Sequence, residues 1–114
     1  MEIKLIVAYM PRDKLEGVEE KLKHVSVERI DICRVKGYGE YRDFFSRDWM
    51  GDEVRIDILT RQHKVDAIVG AIMDAAHTGV AGDGVVAVLP VEKLFLIRTR
   101  AEATSEEFWP RPRS

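Results

Sequence analysis

The spacing of apolar positions changes along the chain, and each change marks an element. Ile3 to Tyr9 is a short run of mostly Ile, Leu and Val closed by Met10-Pro11, which reads as a strand. Pro11 sits where the first turn of a helix tolerates a missing N–H. Leu15, Val18, Leu22 and Val25 then recur at helical spacing among Glu and Lys, predicting an amphipathic helix with one buried stripe. Val27 to Lys36 returns to near-alternation of aliphatics and charges, a second strand. Gly37 breaks that pattern, and polar and aromatic residues run on to about Asp52. Val54, Ile56 and Ile58 alternate with Arg55 and Asp57, a half-buried strand of period two. Val65, Ile68, Val69, Ile72 and Ala76 predict a second helix within His63 to Thr78, with Gly79 placed to cap it in the left-handed conformation. Val85 to Leu89 reads as a fourth strand ended by Pro90, and Leu94 to Arg98 as a short extra strand.

Strand–helix–strand twice over is the ferredoxin-like βαββαβ plan, an α+β fold with one antiparallel sheet and, here, a short extra C-terminal strand. Two helices cover one face of such a sheet. Yet Leu5-Ile6-Val7-Ala8 and Val85-Val86-Ala87-Val88-Leu89 are apolar on both parities, where a strand facing water on one side should alternate. Further copies of the same chain are the economical cover for the second face. Residues 1–100 form the expected domain, with the loop 40–52 inside it. Residues 101–114, with two prolines and few aliphatics, form a loosely held tail in which Thr104 and Glu107 are placed to cap a helical turn.

Composition narrows the classes. The 114 residues are 46% hydrophobic, enough for a core in a single domain. A formal charge of -2 argues against nucleic-acid binding driven by phosphate neutralisation. The interleaved charges of Met1-Glu2-Ile3-Lys4 fit neither a signal peptide nor a membrane span, so a soluble cytoplasmic protein without membrane insertion is expected. The one cysteine, Cys33, has no internal disulfide partner and reads as a small packed side chain. His24, His63 and His77 lack the i, i+4 spacing and neighbouring carboxylates of a metal site, and each falls near a predicted helix end.

Three stretches carry candidate chemistry. Thr78-Gly79-Val80-Ala81-Gly82-Asp83-Gly84 has three glycines able to turn N–H groups toward an anion, though on glycine content alone a helix cap followed by a turn explains them better. Asp83 is a poor phosphate neighbour, better suited to pinning the loop through its own backbone. Lys36-Gly37-Tyr38-Gly39 closes the second strand and could admit a phosphate or the edge of a base. Five of the nine aromatic residues fall between Tyr38 and Met50, among them Tyr41, Phe44, Phe45 and Trp49, mixed with arginines as in contact hot spots.

Taken together, Val35-Lys36-Gly37-Tyr38-Gly39, Thr78 to Gly84, and Leu89-Pro90-Val91-Glu92 through Ile97-Arg98-Thr99 resemble the PII signal-transduction family. There the matching segments read close to VKGFG, TGxxGDG and FPVE…RIRT, and the resemblance is collinear over nearly all of residues 1–100. It implies a non-enzymatic homotrimer that binds an adenine nucleotide (ADP, AMP or ATP) in clefts between subunits. It also implies a mobile loop reporting the bound state to a protein partner, an enzyme or a membrane transporter. Carried over by position, Lys36, Gly37, Tyr38 and Gly39 lie along the nucleotide, and Leu59 reads adenine through its backbone. Asp31 takes the place of a threonine near the base and Asp57 that of a glutamate. Gly82, Asp83 and Gly84 cradle phosphates, and Arg98 adds charge. Tyr41, Phe44, Phe45 and Trp49 belong to the partner-binding loop.

The departures matter as well. The family lysine after GDG is Val85 here and the first arginine of RIRT is Leu96, so two phosphate cations are missing and a weak preference for triphosphate is expected unless Arg47 or Arg100 compensates. Tyr41 replaces the glutamine that helps to place magnesium and 2-oxoglutarate. The loop is shorter by roughly half a dozen residues than the family's, a departure shared with branches tied to bicarbonate uptake or metal efflux. Three alternatives stay open: a transport-linked regulator with little nucleotide dependence, a metal-binding trimer of the same fold, and a small acylphosphatase-like hydrolase. The last wants a positioning asparagine, which the chain lacks, although Arg12 follows the first strand.

Overall fold

A computed structural model describes residues 2–27, 29–37 and 51–104. Strands β1 (Ile3–Pro11), β2 (Asp31–Gly37), β3 (Gly51–Arg61) and β4 (Val85–Pro90) form one antiparallel sheet in the order β2-β3-β1-β4. Helices α1 (Leu15–Leu22) and α2 (Val65–Ala76) bridge β1 to β2 and β3 to β4, which is the ferredoxin-like arrangement.

The even-numbered positions of β1 and β3 make the core. Ile6, Ala8, Met10, Val54, Ile56 and Ile58 are buried against Val18 and Leu22 of α1 and Ile68 and Ile72 of α2. The odd-numbered positions face the other way. Registers Leu5↔Leu59, Val7↔Asp57 and Tyr9↔Arg55, with Leu5↔Leu89, Val7↔Ala87 and Tyr9↔Val85, lay out a second face that neither α1 nor α2 covers. Val85 is 64% exposed there and Leu89 42%. Thr60, on the core side, is fully buried, and its hydroxyl has no hydrogen-bond partner among the described residues.

Several boundaries differ from those the pattern predicts. Each helix is shorter, because Arg12–Lys14 and Gln62–Lys64 form single 3-10 turns that steer the chain off a strand before the α-helix begins. Helix α1 stops at Leu22 rather than reaching Val25. The amides of His24 and Val25 bond three residues back, to Lys21 and Leu22, so the last turn tightens and unwinds. The second strand starts at Asp31 rather than Val27, where pairing to β3 begins with Asp31↔Asp57. Strand β3 begins at Gly51, so the last two residues expected in the loop belong to the sheet. Gly79 is left-handed at φ 82°, but His77 is already extended at ψ 129°, so Gly79 shapes the loop rather than capping α2.

The extra strand predicted at Leu94 to Arg98 is only Phe95–Leu96 (β5). It pairs with Ala101–Glu102 (β6) in a separate hairpin instead of joining the main sheet, and so crosses the expected domain boundary at residue 100. Cys33 is exposed, not packed, because β2 is an edge strand and this residue faces the uncovered side. The proposed cap of Thr104 by Glu107 lies outside the described residues.

Candidate functional site

The loop after α2 is built around one carboxylate. Asp83 Oδ2 accepts from the Thr78 amide at 2.8 Å and the Gly79 amide at 3.0 Å, and Oδ1 accepts from the Thr78 hydroxyl. The Val80 amide donates in turn to Thr78 Oγ1 at 3.1 Å. Bonding to the Thr78 hydroxyl above all, then to the Thr78 and Gly79 amides, holds the Asp83 carboxyl below the usual aspartate range, with His77 3.9 Å away adding to the effect. Asp83 thus pins the loop, and its oxygens are spent on the loop's own entry.

The glycines then do separate jobs. Gly84, at φ 106°, runs so close to β1 that a Cβ would sit 1.9 Å from the Tyr9 carbonyl oxygen, so only glycine fits. Gly82, at φ 101°, borders open space. Among the described residues, the N–H groups of Gly82 and Gly84 find no acceptor. Beside the loop lies a hollow of about 220 Å³ floored by Met10, Ile72, Ala76 and Val86. That is smaller than the roughly 300–1,000 Å³ of a complete small-ligand site.

Lys36 and Gly37 end β2 opposite Asp52 and Gly51, at the same end of the sheet as the Gly82–Gly84 loop, because Gly84 lies against Tyr9 near the C-terminus of β1. On the uncovered face Asp31 stands directly across from Asp57, with Leu59 two residues further along β3. Asp31 accepts from Arg29 Nε at 2.9 Å, and Asp57 accepts from Arg55 Nε at 2.7 Å. Arg55 also donates to the Tyr9 hydroxyl at 3.2 Å and lies over the Tyr9 ring, 5.7 Å from its centroid. The Asp57 carboxylate strengthens the hold of Arg55 on its proton. Arg98 lies beyond the other end of β4, on the tip of the β5–β6 hairpin.

A single chain therefore groups Lys36, Gly37, Gly82, Asp83 and Gly84 at one end of the sheet and carries Arg98 on a separate hairpin. Strand β4 carries the chain away from the glycine loop for six residues, roughly 17 Å at about 3.3 Å per residue, before the connection to the hairpin begins. Tyr38, Gly39, Tyr41, Phe44, Phe45 and Trp49 lie outside the described residues. His24, His63 and His77 fall on three separate segments, and no three described His, Cys, Asp or Glu side chains gather as metal ligands would. Among the described residues no helix is long and apolar enough to cross a membrane.

Sequence reasoning missed two ionic groups. In the first, Asp52 takes Arg34 Nη2 at 3.2 Å and Arg12 Nη1 at 3.3 Å, and hydrogen bonding from Arg34 is the main reason its carboxyl sits below the usual range. Arg12 and Asp52 are 40 positions apart, a separation that leaves no local signal. In the second, Arg55 and Asp57 are two apart on a strand, and that spacing alone does place them on one face.

The family model for nitrogen regulatory protein P-II matches residues 3–101. Nitrogen regulatory protein GlnK2 of Haloferax mediterranei is 37% identical over 106 residues, covering 85% of this chain and 85% of that protein. Nitrogen regulatory protein P-II of Azospirillum brasilense is 33% identical over 104 residues, covering 85% and 93%. The fold is shared with a citrate-bound PII protein of Arabidopsis thaliana, at a TM-score of 0.76 and 19% identity over 99% of this chain and 95% of the other. With strand order, glycine loop and sequence in agreement along the same hundred residues, the chain belongs to the nitrogen regulatory protein P-II family.

Proposed function

We propose that this P-II regulator is a cytoplasmic, non-catalytic homotrimer that binds an adenine nucleotide between its subunits and acts by contacting a protein partner. The observation that carries the reading is the separation described above. The glycine loop with Gly82 and Gly84 occupies one end of the sheet, while Arg98 rides on a separate hairpin that the chain reaches only after β4 has crossed to the opposite end, which favours a site completed by a second subunit. A neighbouring copy seated on the uncovered face supplies the missing half: Asp31, Asp57 and Leu59 from the sheet and Arg98 from the hairpin.

The parts suit that role. The N–H groups of Gly82 and Gly84, which find no acceptor among the described residues, offer an anion-binding concavity, and Asp83 holds it in shape without occupying it. The apolar odd-numbered positions Leu5, Val7, Val85, Ala87 and Leu89 supply the contact between copies. Val85 and Leu96 bring no charge, which favours similar affinities for ADP and ATP over a strong triphosphate preference. Partner contact falls to the aromatic segment holding Tyr41, Phe44, Phe45 and Trp49, with a membrane transporter or an enzyme as the class of partner.

Subunit complementation tests the reading. Gly82→Val and Arg98→Gln should each abolish or sharply weaken ADP binding in calorimetry. Mixed trimers formed from the two variants should regain it, because some clefts then join an intact loop to an intact hairpin. Mixed trimers that bind no better than the parents would place the site within one subunit and sink the reading. In a pull-down, Phe44→Ala with Phe45→Ala should lose the partner while nucleotide affinity stays unchanged.

A further inference from the structure

The C-terminal hairpin carries a backbone outlier, and it falls on a cation. Leu96 pairs with Ala101, so Ile97 to Arg100 form a four-residue loop. The Arg100 amide closes it by donating to the Leu96 carbonyl at 2.9 Å. To re-enter β6, Arg100 adopts φ 60°, the left-handed conformation that glycine takes freely and a residue with a Cβ takes at a cost. The rest of the tip is equally ill-suited to folding alone. Ile97 is 94% exposed, and among the described residues neither the Arg98 nor the Arg100 guanidinium has a partner. Two unneutralised like charges on a strained turn are what local preference selects against, and such positions persist where function requires them.

We infer that Arg100 is a second phosphate-binding cation of the nucleotide site, delivered with Arg98 to the glycine loop of a neighbouring subunit. The inference rests on the nucleotide reading and adds a residue to it. Its physical need is plain at the loop. Asp83 places a carboxylate beside the Gly82–Gly84 concavity, Val85 follows without charge, and Leu96 is a buried aliphatic, so the loop and the strand after it bring no cation to a polyphosphate there. Guanidinium is the group that binds phosphate in a planar fork. Arg98 and Arg100 share one four-residue loop, so whatever contact brings the first to a phosphate brings the second close.

The test compares wild type with Arg100→Gly and Arg100→Gln, using calorimetry with ADP, ATP and adenosine together with thermal melts of the ligand-free protein. Arg100→Gly should melt higher than wild type, since glycine relieves the left-handed turn, yet bind ADP and ATP on the order of ten- to hundredfold more weakly. Arg100→Gln should show the same loss of affinity without the gain in stability. Adenosine, which has no phosphate, should bind all three proteins alike. Unchanged ADP and ATP affinity in both variants would overturn the inference and leave the nucleotide reading standing. A lower melting point for Arg100→Gly, or an equal loss for adenosine, would also overturn it by showing that Arg100 supports the hairpin. A wild type that binds none of the three ligands would overturn the nucleotide reading itself, and the role of Arg100 with it.

Discussion

The two faces of the sheet are written in the same strands and differ in almost everything else. Ile6, Ala8, Met10, Val54, Ile56 and Ile58, at even-numbered positions of β1 and β3, are sealed by α1 and α2. Odd-numbered positions mix Leu5, Val7 and Leu89 with the Tyr9–Arg55–Asp57 ion and ring cluster, and Val85 and Leu89 among them stay exposed in the single chain. A strand's period of two lets one segment serve two purposes, since moving by one residue changes face. The even face specifies the fold of the monomer. The odd face carries charge as well as exposed valine and leucine, as a surface for other copies would under the reading proposed above.

The contrast can be broken most forcefully from the even side. Ile56→Ala removes a fully enclosed side chain and should lower stability by about 2–5 kcal/mol, read from urea unfolding. On the odd side, Leu89→Asp should leave helix content and monomer folding close to wild type yet weaken self-association by at least about tenfold in sedimentation. A carboxylate buried without a partner costs more than the roughly 1.4 kcal/mol that such a change represents. If Leu89→Asp unfolds the chain instead, the division of labour between faces is wrong.

Thr60→Val sharpens the even side, because the hydroxyl it removes is buried and unpaired; stability should rise by about 1–2 kcal/mol. The smallest effect is acid release. Asp83 and Asp52 both have carboxyls lowered by hydrogen bonding, so the stability they lend is present above the ordinary aspartate value of 3.8 and fades as pH falls below it. Hydrogen exchange at the Thr78 and Gly79 amides should therefore accelerate below about pH 4 and already be fast at neutral pH in Asp83→Asn.

Much of this was legible in the residues because it rests on period. Alternation at Val54, Ile56 and Ile58 and the stripes through Val18 and Ile68 found the main elements and the covered face. The double apolarity of 85–89 pointed to a second, open one. Even the pinning role of Asp83 followed from its place in a glycine loop. What stayed hidden depends on distance or on very short pairing. Two-residue strands such as Phe95–Leu96 and Ala101–Glu102 have no period to read. Whether Cys33 is packed depends on which strand ends the sheet, a fact of topology. The Asp52 cluster joins Arg12 to the start of β3 across 40 positions. The left-handed turn at Arg100 contradicts residue preference outright and is visible only in the backbone.

The rung Gly37↔Gly51, backed by the Arg34–Asp52 contact one rung in, bears on how this chain can change over evolutionary time. The intervening residues 38–50 join two strand ends that the sheet and its ion pair hold together. Joining two fixed ends with a longer chain costs only about 0.6 kcal/mol more for each doubling of its length. Insertions and deletions there are therefore nearly neutral for folding, and length becomes a quantity that selection can adjust for a partner alone. Grafting segments of other lengths between Gly37 and Gly51 should therefore yield folded proteins that differ in what they bind.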